Sequence, residues 1–272
     1  MQMLALRQVS DDLTVKESWE TVVKPLLNAP AEALWRAHSD AVNAALLTRW
    51  LPHGTCRFLL KTDLFDEAMG EGLYPMLAMR ADSVAALDLA PSVLAAAVAR
   101  YPQLLAVTAD VRRLPFGSET LEIIVSNSTL DHFGTSHEIT AALRELYRVL
   151  RRGGRLLLTM DNLTNPAVAI RNVLPFSLLR RLGLASYPFG ATGGRRRLTR
   201  LLREVGFEVQ ETVALLHCPR VLAVPIARRL QRHGTAAKRT RFLRRLQSWE
   251  RLANLPTRYL TGYFVGVDAR KP

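Results

Sequence analysis

Residues 121–160 read LEIIVSNSTLDHFGTSHEITAALRELYRVLRRGGRLLLTM: an apolar run, a stretch with apolar residues at helical spacing, a glycine turn and a second apolar run. Short apolar runs bounded by turn residues suit strands buried on both faces, and a helix joining two of them makes a parallel crossover. LEIIVS from Leu121 and RLLLTM from Arg155 are therefore read as strands, with a helix over His137–Leu150 between them. The alternation extends toward the N-terminus through RFLL from Arg57, SVAALDL from Ser83, a helix over Pro91–Tyr101 and LLAV from Leu104. Before it, Leu34, Trp35, Ala41, Val42, Ala45 and Leu46 give Ala31–Trp50 one apolar face, and Leu51-Pro52-His53-Gly54 stops that helix. Strand, helix, strand in repetition predicts an α/β fold, a doubly wound and mostly parallel sheet with helices on both faces.

Beyond Met160 the alternation loosens. An apolar and basic stretch, Asn165–Gly194, precedes a helix at Leu198–Val205 and a strand in GFEVQETVALLH, residues 206–217. An Arg-rich stretch of helical pattern, Pro219–Pro256, precedes a closing strand in TGYFVGVDA, residues 261–269. No repeat or low-complexity linker divides the chain. Residues 1–272 are accordingly read as one domain, with a cofactor-binding core over 31–160 and acceptor-side insertions over 161–194 and 219–256. Insertions of this kind carry specificity, because they vary while the sheet holds the cofactor.

The formal charge of +13 is unevenly placed. From Arg195 to Lys271 there are 18 Lys and Arg against 5 Asp and Glu, which leaves 19 of each sign in residues 1–194. A localised basic surface implies an anionic partner, or a solvated helix face that keeps the protein soluble. Base recognition adds exposed rings to such a surface, whereas Phe207, Phe242 and Trp249 read as strand or helix-face residues, so nucleic acid is not the expected partner. Cys56 and Cys218 are too few for a disulfide scaffold or a Cys-rich metal site and read as buried thiols. No run reaches the roughly 18–20 apolar residues of a membrane span, and the start MQMLALRQVSDDLTVKE lacks a leader layout, so a cytoplasmic protein is expected.

In open α/β sheets ligands settle at the carboxyl ends of the strands, and four such ends carry polar or glycine residues. The first leads through Lys61-Thr62-Asp63 and Asp66 to Met69-Gly70-Glu71-Gly72-Leu73, where the two glycines allow close approach of a ligand to the backbone. The second ends at Asp88, 16 residues after Gly72, a carboxylate able to accept from both ribose hydroxyls of a nucleoside or to cap the helix that follows. The third and fourth are Asp110 and Ser126-Asn127, a donor and acceptor set suited to an adenine edge, or ordinary turn residues.

From Arg57 to Met160, about 100 of the 272 residues, the chain resembles class I S-adenosylmethionine-dependent methyltransferases of the ubiquinone/menaquinone-biosynthesis type. The resemblance rests on Asp88, on Asp110 with Leu114-Pro115-Phe116, on LEIIVSNSTLDHF, and above all on Glu145–Gly154 before the fifth strand. It implies a Rossmann-like, seven-stranded sheet with a reversed last strand, S-adenosyl-L-methionine as cofactor, ribose bonded by Asp88, and adenine held by Asp110 and Val111. Such enzymes show an acid and a GxGxG loop after the first strand. Here LLKTDLFDEAMGEG places Ala68 where the first glycine would align, and either Asp66 or Lys61–Asp63 ends the strand.

Methyl transfer needs the acceptor aligned with the sulfonium methyl, and a base only when the acceptor is a hydroxyl or an acidic carbon. Asp131 and His132 follow the fourth strand and are the candidates for that base, against a polar loop pair with a capping Asp. Asp161 and Asn162 follow the fifth strand within reach of an acceptor. In Pro219–Trp249, Val221, Leu222, Val224, Ile226, Leu230, Phe242, Leu243 and Leu246 alternate with arginines, a pattern suited to peripheral contact with an anionic membrane and to a lipophilic acceptor. Asn165–Pro188 would supply the other wall of that cleft. A nicotinamide-dependent oxidoreductase shares the glycine turn and ribose acid but wants GxGxxG, and a non-catalytic binding module fits the altered first loop.

Overall fold

A computed structural model describes residues 19–27, 33–181 and 189–272. The segment read for a leader, the Ala31 start of the first helix and the end of the Asn165–Pro188 wall lie outside the described residues. In chain order the elements are α1 (19–27), α2 (Ala33–Trp50), β1 (Cys56–Lys61), α3 (Phe65–Met69), α4 (Tyr74–Ala78), β2 (Ala81–Asp88) and α5 (Pro91–Arg100). Then follow β3 (Leu105–Thr108), β4 (Leu121–Asn127), α6 (Ser136–Val149), β5 (Leu150–Asp161), α7 (Pro166–Val173), α8 (Phe176–Arg181) and α9 (Arg195–Val205). The last elements are β6 (Glu208–Leu215), α10 (Arg220–His233), α11 (Ala236–Ser248), α12 (Arg258–Thr261) and β7 (Phe264–Arg270).

The strands form one seven-stranded sheet in the order β3-β2-β1-β4-β5-β7-β6. Strands β1 to β5 run parallel, with Leu59 beside both Val84 and Ile123, while β7 runs antiparallel to β5 and β6. The expected doubly wound sheet with a reversed last strand is present. Strand order turns back between β1 and β4, and a crevice opens there beyond their carboxyl ends.

Each face of the sheet carries its own core. On one face α6 and α9 bury Ile139, Leu143, Leu146, Leu198 and Leu202 against β4, β5 and β7. On the other α2 to α5 bury Leu47, Trp50, Leu64, Leu77 and Val93. A third cluster joins α2 to α10 and α11 through Leu34, Trp35, Ala223, Ala227 and Leu246. Helix α6 starts in a capping box, Thr135 accepting from Glu138 N while the Glu138 side chain accepts from Thr135 N, an arrangement worth about 1 kcal/mol.

Three boundaries differ from the sequence reading. Strand β5 begins at Leu150, directly after α6, and the Gly153-Gly154 turn becomes an irregularity between the pairs Leu121–Leu150 and Ile123–Arg155. Gly153 takes φ +74°, which a side chain would strain. The closing strand starts three residues later than Thr261, because Arg258–Thr261 forms α12. The first loop holds a short helix, α3, where an open turn was expected.

Candidate active site

Of the two registers open for the first loop, the structure takes the one in which Lys61 ends β1. Asp66 does not end the strand: it sits in the first turn of α3, its carboxylate 2.7 Å from the Arg36 guanidinium of α2. Lys61 and Glu67 are 1 % and 0 % exposed, and Lys61 Nζ donates to Glu67 Oε2 at 2.9 Å and to the Asp63 carbonyl at 2.9 Å. The other oxygen, Glu67 Oε1, accepts from the backbone N–H groups of Leu73 and Tyr74. Burial by itself would lower the Lys61 ammonium, but Asp63 and Glu67 outweigh it and hold it above its usual range. The loop is thus wrapped around a buried ion pair.

The two glycines serve that pair. Gly72 has φ +60°, and a Cβ on it would lie 2.6 Å from the Glu67 carboxylate. Gly70 is extended, with room for a side chain, its nearest neighbour being Asp66 O at 3.7 Å. Neither Gly70 nor Gly72, expected to bring the backbone against a ligand, lines the cavity described below. Gly72 makes its close approach to Glu67 instead.

The remaining candidates converge. A cavity of about 1140 Å³ opens at the crevice and is lined by Asp63, Asp66, Asp88, Asp110, Val111, Asn127, Asp131 and His132. Asp88, buried at the end of β2, accepts from Ala90 N at 2.9 Å and Leu64 N at 3.2 Å, and burial raises its carboxyl despite these bonds. Asp110 accepts from Arg112 N, Nε and Nη2, and Arg112 also meets Glu138 at 2.8 Å. Thr62 Oγ1 lies 2.9 Å from Ser126 and 2.8 Å from Thr129, locking the ends of β1 and β4 together. Burial pushes the Asp63 carboxyl up to about 7 against the pull of Lys61, 3.1 Å away.

Asp131 is 4 % exposed; its Oδ2 accepts from Ser128 Oγ and Asp161 N, while Oδ1 has no hydrogen-bond partner among the described residues. Asn127 Nδ2 is buried in the same condition. The His132 ring lies 4.9 Å from that of Trp19 in α1. Asp161 joins the cavity and pairs with Arg171 at 2.5 Å; burial, with Asp131 beside it, raises the Asp161 carboxyl. Asn162 instead donates to the Tyr259 and Gly262 carbonyls, a structural bond at the base of β7.

Sequence reading placed the stretches that carry Arg171 and Arg220 on the acceptor side but missed Trp35 and Arg36 of α2 and Tyr263, which line the same cavity. Arg36 meets Asp66 30 positions away and Tyr263 meets Arg171 92 positions away, contacts that leave no local spacing to read. Lys61 did carry a signal: a lysine directly closing an apolar strand requires a buried counter-charge.

Residues 65–158 match the methyltransferase domain family. A probable S-adenosylmethionine-dependent methyltransferase of Mycolicibacterium smegmatis is 27% identical over 157 residues, 57% of this chain and 55% of that protein. The ubiquinone/menaquinone biosynthesis C-methyltransferase UbiE of Roseobacter denitrificans is 32% identical over 141 residues, 45% of this chain and 55% of that protein. Over this stretch the chain is similar to S-adenosylmethionine-dependent methyltransferases. It spans about half the length of the curated relatives it matches. Among solved structures, the [4+2]-cyclase SpnF superposes with a TM-score of 0.63 over 96% of this chain and 97% of that one, at 16% identity, which bears on the fold.

The residues present fit S-adenosylmethionine. Asp88, Asp110 and the Val111 backbone line one cavity as a nucleoside requires, and the unpartnered Asn127 Nδ2 adds a buried donor beside them. The Asp63 carboxylate lines the same cavity, and among the described residues neither Gly70 nor Gly72 does.

Proposed function

We propose that this chain transfers a methyl group from S-adenosylmethionine to a small lipophilic acceptor. The observation that carries the reading is the continuity of the cavity, which joins Asp88, Asp110 and Asn127 to Trp35, Tyr263 and Phe264. Its volume exceeds the roughly 300–1,000 Å³ of an ordinary one-ligand site, as two ligands demand. When bound, S-adenosylmethionine supplies the electrophilic methyl group on its sulfonium. Asp88 takes the ribose hydroxyls, Asp110 and Val111 N take the adenine edge, and Asp63 faces the cationic end. Holding the acceptor in line does most of the remaining work. Asp131, its carboxylate fixed by Ser128 and Asp161 N, keeps one oxygen for a proton on an acceptor hydroxyl or acidic carbon, with His132 as the neighbouring base.

Calorimetry with S-adenosylmethionine, S-adenosylhomocysteine and a nicotinamide dinucleotide tests this reading. Binding of the first two and not the third is expected, and Asp88→Ala should weaken it by about 1–3 kcal/mol with the fold intact by circular dichroism. Absence of binding by the wild type would leave a methyltransferase fold used as a binding module.

Peripheral membrane contact is part of the proposal. Ile170 and Val173 on α7, Leu174 just after it, Leu178 on α8 and Val221, Leu222 and Ile226 on α10 are exposed, Val173 to 85 %, and Ile170, Leu174 and Val221 line the cavity. An apolar rim set among arginines suits an anionic bilayer surface. Among the described residues no helix is long and apolar enough to cross a membrane. Flotation with anionic but not neutral vesicles, lost when Arg241, Arg244 and Arg245 become Glu, is the expected pattern; no flotation at low salt would overturn it.

A further inference from the structure

The cavity is polarised. Its strand-end side is lined by carboxylates, Asp63, Asp88, Asp110 and Asp131 among them, and the Arg112 guanidinium there is tied to Asp110 and Glu138. On the opposite side α10 contributes Arg220, Val224, Arg228 and Arg232 to the lining, each four residues from the last. That spacing sets them on one stripe of the helix, about 18 Å long at 1.5 Å per residue. Ala223 and Ala227, off the stripe, are buried against α2 and α11, which fixes the rotation of the helix.

The inner end of the stripe is held in place. The Arg220 guanidinium lies over the Tyr263 ring at 4.8 Å and the Trp35 ring at 5.6 Å, and Arg171 lies over Tyr263 at 5.6 Å. Asp161 lies at 2.5 Å from Arg171 on the same wall. Arg232, at the outer end, is exposed to solvent. Three guanidiniums in a row, beside the apolar surface of Ile170, Leu174 and Phe264, meet two requirements at once. A planar fork binds phosphate or carboxylate oxygens through paired N–H donors, and the apolar wall buries a hydrocarbon body.

We propose that the acceptor is an anionic amphiphile, an apolar molecule ending in a phosphate or carboxylate that the α10 arginines hold inside the cavity. This rests on the reading of that wall as the acceptor side. The polarity also sorts the two ligands, because a cationic cofactor and an anionic acceptor are each repelled from the other's end.

The test uses the full chain and monomeric probes: decyl phosphate, decanoate, decanol, decyltrimethylammonium and inorganic phosphate, titrated by calorimetry. Decyl phosphate or decanoate is expected to bind one molecule per chain at least ten-fold more tightly than decanol, the cationic probe or inorganic phosphate. Arg228→Gln with Arg232→Gln should remove that preference while decanol binding stays. Equal affinity for the three head-group charges, or a preference untouched by the double substitution, would overturn the proposal. So would an anion preference seen only with phosphatidylglycerol vesicles, which would place the anion in a bilayer surface rather than the cavity. S-adenosylhomocysteine titrated into the same samples reads the cofactor end separately, so failure of the probe series with that binding intact counts against the arginines alone.

Discussion

The ends of β2, β3 and β4 and the end of β1 handle charge in opposite ways. At the first three, Asp88, Asp110 and Asn127 face the cavity, Asp88 steadied by Leu64 N and Ala90 N and Asp110 by Arg112. At the fourth, charge is turned inward, Lys61 meeting Glu67 out of contact with solvent. A group of the first kind can be altered at the expense of a ligand; one of the second kind holds the loop that places the others. Binding and stability are therefore separable at neighbouring strand ends.

The largest expected effect breaks the inward pair. Lys61→Met leaves Glu67 buried with only the Leu73 and Tyr74 amides, and it should lower stability in urea by about 3–5 kcal/mol. Adding Glu67→Gln should recover much of that loss, since the uncompensated charge goes with it; a double variant no better than the single would mean the pair is not the unit that matters. Next in size, Gly72→Ala forces a side chain into φ +60° against Glu67, at a cost of about 1–3 kcal/mol. Gly70→Ala, in extended backbone with open space, should be near neutral by the same melt. A reversed ranking would return the close approach to Gly70.

The smallest effect concerns Asp63, the residue that belongs to both regions. Its carboxyl, 3.8 in the reference state and about 7 here, is raised first by burial, with Lys61 opposing and Asp66, Glu67 and Asp88 adding to the rise. A raised acid favours the folded state fully below about pH 4, and that contribution fades as pH climbs through 7. Cation binding runs the other way, because it needs the ionised form. S-adenosylmethionine affinity should therefore strengthen several-fold from pH 5.5 to 7.5, while that of neutral methylthioadenosine stays flat. Asp63→Asn should level the first curve, and a slope that survives in it would assign the titration elsewhere.

The parallel strands were legible because β1 to β5 read as short apolar runs, and Asp88, Asp110 and Asn127 follow from where three of those runs stop. Asp66 and the glycines were not, since choosing the loop's register depends on Glu67 reaching back six residues to Lys61, a contact that periodicity does not encode. The start of β5 was misplaced by the Gly153-Gly154 turn, which punctuates the sequence without ending the hydrogen-bonded ladder. Arg171 and Tyr263, 92 positions apart and joined at 2.6 Å, belong to the tertiary fold alone.

The reversed β7 also sets the order of assembly. Strand β6 pairs with β7 and with no other strand of the sheet, and about fifty residues, including α10 and α11, separate the two in the chain. During synthesis at about 5–20 residues per second, β6 therefore waits several seconds with its edge open, while β1 to β5 can close on their own crossovers. The basic helices are made in that interval. An edge strand flanked in sequence by charged helices is less open to pairing with another chain, and β6 is followed directly by the arginines of α10 and α11.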